Sequence, residues 1–139
     1  MKQFIYKLFV LLNTYFFVIL IRLGLWLVPA KTVLLFQSGH FAAWTTIKFN
    51  YSISTLVWAI KRSSTLPLGK MKCLGQALVL QSMMSLSGHT SKVCFGVAKG
   101  DNTQIEAHAW VEYQDQIIVG QINNMSRFYP LNTWVASRK

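Results

Sequence analysis

The chain has 139 residues, 53% hydrophobic and 13% charged, with a formal charge of +10. That length fits one domain with one core, and that apolar content excludes a disordered chain. Two cysteines, Cys73 and Cys94, with no Cys-x-x-Cys and no His-x-x-x-His, exclude a disulfide scaffold and argue against structural zinc.

The four acids, Asp101, Glu106, Glu112 and Asp115, all lie between 101 and 115. Everything else that is charged is basic. Such a surface is either simply solvated or drawn to an acidic partner: a peptide, a protein or an anionic membrane. Nucleic acid is not expected, because no recognition motif and no dense basic stripe interleaved with aromatics is present.

In chain order, Lys2 and Lys7 precede an apolar run from Leu8 to Ile21, followed by Arg22 and a further apolar stretch to Val28. Three readings compete for this segment. A membrane-spanning helix has the required length, with Arg22 as the objection. A signal peptide has its basic start but lacks a small-x-small cleavage site. The third is an amphipathic or buried helix of a small helical subdomain, resting on a membrane surface. Pro29 ends the segment. Lys31 to Gln37 is a short helical candidate, and Ser52 to Lys61 is another, with Ile53, Leu56, Val57 and Ile60 on one face. Ser63 to Gly69 reads as a loop.

From Cys73 the pattern changes. Cys73 to Leu86 reads as a helix with Leu74, Ala77, Leu78 and Gln81 on one face and Gly88 as terminator. Lys92 to Ala98 reads as a strand. Ile105 to Tyr113 is a second strand, with Ala107, Ala109 and Val111 on one face and His108, Trp110 and Glu112 on the other. Gln114-Asp115 is a tight connection into a third strand, Gln116 to Gln121, and Arg127 to Leu131 is extended. The fold class is therefore α+β: N-terminal helices, then a helix packed on a small antiparallel sheet. Residues 1–62 form an apolar helical region and 63–139 the core, as one compact unit.

A cysteine in the first turn of a helix sits beside unpaired backbone N–H groups and the positive end of the helix dipole. Both favour the nucleophilic thiolate, and the same N–H groups can hold an oxyanion. A histidine on a strand packed against that helix end can take the thiol proton and return it to a leaving amine. Taken alone, Cys73 also reads as a small buried hydrophobe and His108 as a satisfied structural histidine. Cys94, mid-strand between Val93 and Phe95, reads as core, and His40 and His89 as loop residues.

The run Cys73-Leu74-x-x-Ala77-Leu78-x-Leu80, then Gly88, Val93-x-Phe95-Gly96-Val97 and Ala107-His108-Ala109-Trp110-Val111-Glu112 resembles the transglutaminase-like domain of lasso-peptide leader peptidases. Trp58-Ala59-Ile60, Leu66-Pro67 and Ser126-Arg127-Phe128-x-Pro130-Leu131 extend the likeness over most of the chain. It implies a papain-like or transglutaminase-like core, with Cys73 as nucleophile and His108 as base. It also implies a precursor-peptide substrate, a separate leader-binding protein and an ATP-dependent lasso cyclase as partners, with ATP belonging to the cyclase and no metal or organic cofactor. The expected place is the cytoplasm. The resemblance favours the third reading of the N-terminus, an amphipathic or buried helix of a small helical subdomain, which leaves open membrane-surface association through residues 4–28.

One departure stands out. The family usually carries an aspartate on the strand after the histidine, and Gln116-Ile-Ile-Val-Gly-Gln121 has no carboxylate. If Gln114-Asp115 is a two-residue loop, His108 faces Gln121, whose amide carbonyl can orient the imidazole. A shifted hairpin puts Asn123 there instead. Trp110 reads as core or, slightly better, as a wall of the cleft. Glu112 reads as a surface or substrate-binding residue, and Lys70 and Lys72 as basic neighbours of the thiol. Two rivals remain: an acyl transferase using the same pair, and a basic membrane-anchored interaction or immunity protein.

Overall fold

The computed structural model describes residues 1–29, 32, 49–64 and 72–136, with side chains to Leu131. The helix expected over Lys31 to Gln37, most of the loop from Ser63 to Gly69, His40 and Lys70 lie outside the described residues.

The apolar N-terminus is one continuous helix, α1 (Lys2–Leu27). Val28 turns extended before Pro29, as the residue preceding a proline must when the ring closes off the helical region. The helix α2 (Ile53–Ser63) starts on Ser52, whose hydroxyl accepts from the Thr55 N–H. Its inner face is Leu56, Ala59 and Ile60, with Ile53 and Val57 packed at the margin. The helix α3 (Cys73–Leu86) ends with Gly88 at a φ of 83°, which a glycine adopts at no steric cost.

Burial along α3 departs from the single face expected for it. Every residue from Ala77 to Leu86 is buried. The reason is its place in the stack: α1 and α2 pack on one side of α3 and the sheet on the other, so α3 is a middle layer. One core cluster runs through all three helices and the sheet, including Val10, Phe17, Ile60, Leu80, Met83 and Val111. Two polar contacts tie α1 into it. The Thr14 hydroxyl donates to the Val10 carbonyl at 2.8 Å and lies 3.3 Å from Met83 Sδ. Asn13 Nδ2 donates to the Tyr51 hydroxyl at 3.2 Å. These contacts fix α1 to the domain as part of its core. It is also the one helix, among the described residues, long and apolar enough to cross a membrane.

The sheet is antiparallel, with strands β1 (Ser91–Lys99), β2 (Ile105–Tyr113), β3 (Gln116–Val119) and β4 (Tyr129–Ala136) in the spatial order β3-β2-β1-β4. The β2–β3 hairpin turns on Gln114 and Asp115, both at positive φ (50° and 61°), the backbone of a two-residue turn matched to strand twist. The segment expected to be merely extended near the C-terminus is a full edge strand. A 3-10 turn, Met125–Arg127, leads into it. Pro130 fits there because β4 is an edge and Pro130 meets Gly96 across a bulge in the β1–β4 register. Domain and fold thus take the mixed α+β form, with helices stacked on one face of a small antiparallel sheet.

Candidate active site

Cys73 is the first residue of α3. The Lys72 carbonyl accepts the first helical hydrogen bond, from Gln76 N–H. This leaves the N–H groups of Cys73, Leu74 and Gly75 without an intrahelical acceptor. Cys73 and Leu74 are half-buried, whereas α3 is closed off from Ala77 onward. The thiol therefore stands at the open end of a buried helix.

A cleft of about 440 Å³ opens at that end. Cys73 and Leu74 of α3, Phe95 and Val97 of β1, Ala107 and His108 of β2, and Leu131 of β4 line it. On β2 the Ala107–Ala109 face packs on the helices, and the His108 ring lies on the alternate face with Trp110 and Phe128. The nucleophile and base expected from the sequence thus line one cavity, and apolar side chains make most of its surface. Among the described residues no hydrogen bond joins the thiol to the imidazole. In unliganded sites such bonds are often long and form only with substrate.

The His108 ring is held from the other side. Its Nε2 lies 2.5 Å from the Gly120 carbonyl oxygen. A carbonyl can only accept, so Nε2 carries the proton and Nδ1 presents a lone pair. The ring also stacks on Trp110, with centroids 6.2 Å apart, and sits 5.6 Å from Phe128. Trp110 is itself buried, and its indole N–H donates to Glu112 Oε1 at 2.9 Å. Gly96 makes room for this stack: a Cβ there would meet Phe128 Cβ and the Trp110 ring at 3.0 Å.

Gln121 does not take the orienting place. The hairpin begins as expected, with Tyr113 opposite Gln116, but a bulge between Val111 and Glu112 pairs Val111 with Val119. The extra residue moves everything downstream by one position. Gly120, at a φ of 93°, lies so close to β2 that a Cβ would meet the Ala109 carbonyl at 2.8 Å. Its carbonyl is what reaches the imidazole, and Gln121 and Asn123 are both exposed. Trp110 is likewise a support behind the histidine, absent from the residues lining the cleft. Glu112 Oε1 accepts the Trp110 indole N–H.

Cys94 is buried, as expected for core. The His89 ring lies 3.0 Å from the Tyr51 carbonyl and ties the loop after α3 to the start of α2. Lys72 is exposed at the helix cap. The role of Gly120 was missed by sequence reasoning. The available signal was a glycine ending a strand, which marks a bulge or a close backbone approach.

No significant match was found among curated proteins or solved structures. The pattern of the transglutaminase-like superfamily matches residues 45–133, which takes in α2, α3 and nearly the whole sheet. Enzymes of that superfamily generally work through a cysteine and a histidine. With the matched span covering well over half the sequence, the chain belongs to the transglutaminase-like superfamily.

Proposed function

We propose that this protein is a cysteine peptidase that removes the leader from a ribosomally made lasso-peptide precursor. The observation that supports the chemistry is that Cys73, half-buried at the start of α3, and His108, whose Nε2 meets the Gly120 carbonyl, both line one cleft. The leader-peptidase identity rests on the sequence resemblance around Cys73 and His108.

In the proposed reaction, His108 Nδ1 takes the Cys73 thiol proton as Sγ attacks the scissile carbonyl carbon. The carbonyl oxygen becomes an oxyanion, held by the free N–H groups at the start of α3. As the C–N bond breaks, His108 returns its proton to the leaving amine, and a thioester remains on Cys73. Water, deprotonated by His108, then attacks the thioester. A carboxylate leaves and the thiol is restored. No step requires a metal or an organic cofactor. A separate leader-binding protein would deliver the precursor, and an ATP-dependent cyclase would take the freed core peptide.

The test is a mass-spectrometric cleavage assay with the native precursor peptide and its leader-binding partner. Wild type is expected to release the leader, and Cys73→Ala and His108→Ala to release none. Leader release by Cys73→Ala at the wild-type rate would overturn the assignment. A conjugate with an added amine in place of a new carboxylate would instead identify an acyl transferase.

A further inference from the structure

A helix on the outside of a soluble domain keeps its apolar residues to one face. The helix α1 is apolar on two. Its inner stripe, including Val10, Phe17 and Val18, is buried against the domain. Its outer stripe is Leu8, Leu12, Phe16, Ile19, Leu23 and Trp26, at spacings of three and four that hold one side of the helix throughout. All six are exposed, Leu12 at 59% and Trp26 at 82%. The stripe runs from Leu8 to Trp26, about 27 Å at 1.5 Å per residue. Because α1 is the outermost layer of the stack, the stripe faces away from the sheet.

The charge around it has one sign. Residues 1–100 contain eleven Lys and Arg and no Asp or Glu. Lys2 and Lys7 lie on α1 itself, with Lys7 Nζ over the half-exposed Trp58 ring of α2, and Lys61 and Arg62 close the C-terminal turn of α2. The four acids lie in the sheet and its turns: Glu106 pairs with Arg127, Glu112 accepts from the Trp110 indole, Asp115 pairs with Lys92, and Asp101 is in the β1–β2 turn. The three helices themselves contain no acidic residue. A long apolar stripe with basic residues and tryptophans beside it is the chemistry that an anionic bilayer surface takes up.

From this we infer that the protein docks on anionic lipid bilayers through α1, lying in the plane of the interface. A spanning orientation conflicts with the fold, since α1 supplies Val10, Thr14, Phe17 and Val18 to the core and holds Tyr51 through Asn13. The inference stands apart from the peptidase reading, because it concerns binding and needs no turnover.

The test is flotation of the full chain with vesicles of phosphatidylcholine alone or mixed with phosphatidylglycerol. The mixed vesicles are expected to bind at least about fivefold more protein at low salt, with the difference shrinking at high salt. The double variant Leu12→Glu, Leu23→Glu should lose at least about tenfold in partitioning while keeping its circular dichroism, since both side chains are exposed. Brominated lipid should quench wild-type fluorescence more than that of Trp26→Phe. Bound protein should leave the vesicles in alkaline carbonate. Retention in carbonate would overturn the inference in favour of a spanning helix. Failure to float, with a dimer in sedimentation that Leu12→Glu abolishes, would overturn it in favour of a second copy on the same stripe.

Discussion

The His108 ring and the Gly120 carbonyl lie 2.5 Å apart, so the histidine is oriented by backbone where a side-chain group was expected. A backbone carbonyl fixes the tautomer but carries no full charge to stabilise an imidazolium. Orientation therefore depends on where β3 places residue 120.

That dependence makes Gly120 more sensitive than the neighbour predicted from sequence. Gly120→Ala places a methyl 2.8 Å from the Ala109 carbonyl on a backbone at φ 93°. The residue must move, and its carbonyl leaves the imidazole. Turnover is expected to fall by about 10- to 100-fold, with the folded state destabilised by about 1–3 kcal/mol. Gln121→Ala should stay within about twofold of wild type, because that side chain is exposed. Steady-state cleavage rates of the two variants, measured where circular dichroism shows both folded, check the pair.

The β2–β3 turn is built from residues that do not suit it. Gln114 and Asp115 hold φ of 50° and 61°, a conformation that favours Asn and Gly. The Lys92–Asp115 pair is exposed and gives little in return. Replacing both, Gln114→Asn with Asp115→Gly, should stabilise the protein by about 1 kcal/mol. A higher urea midpoint with unchanged slope is the expected reading, and an unchanged or lower midpoint would count against the turn geometry.

Tyr51 gives a pH dependence. Burial pushes its hydroxyl above the ordinary 10.0, the neighbouring Tyr6 adds to the rise, and the hydrogen bond from Asn13 opposes it. The folded state thus prefers the neutral phenol. Its contribution is fully present below the unfolded value and is lost as pH rises through the folded one. The stability of wild type relative to Tyr51→Phe should fall between pH 8 and pH 11. Urea titrations of both proteins at the two pH values test this, and a constant difference would contradict it.

Much of the fold was legible because local signals agreed with tertiary demands. Cys73 to Leu86 reads as helix from its composition and its terminating Gly88, and it folds over those residues. The strand from Ile105 to Tyr113 folds over the residues expected of it and ends in the expected hairpin, with Ala109, Trp110 and Val111 buried in succession. What failed to show were the features decided by neighbours. The bulge beyond Val111 and the close approach of Gly120 to β2 are not encoded in any periodicity. The strand Tyr129–Ala136 exists through its pairing with β1, and Pro130 hid it. The buried circumference of α3 reflects layers on both sides of it. For the site, Cys73 stands out in the sequence by its helix start and His108 by its strand, and both line one cleft, while the contact between Gly120 and His108 depends on a bulge that local sequence does not show.

Acid-quenched intact-mass spectrometry of the protein mixed with the proposed precursor peptide tests the role of Cys73 directly. Wild type should show a transient adduct of the acyl fragment mass, mapped by peptide sequencing to Cys73. Cys73→Ala should show none, and His108→Ala little. An adduct on Cys94, or cleavage by Cys73→Ala, would contradict Cys73 as the nucleophile of this cleft.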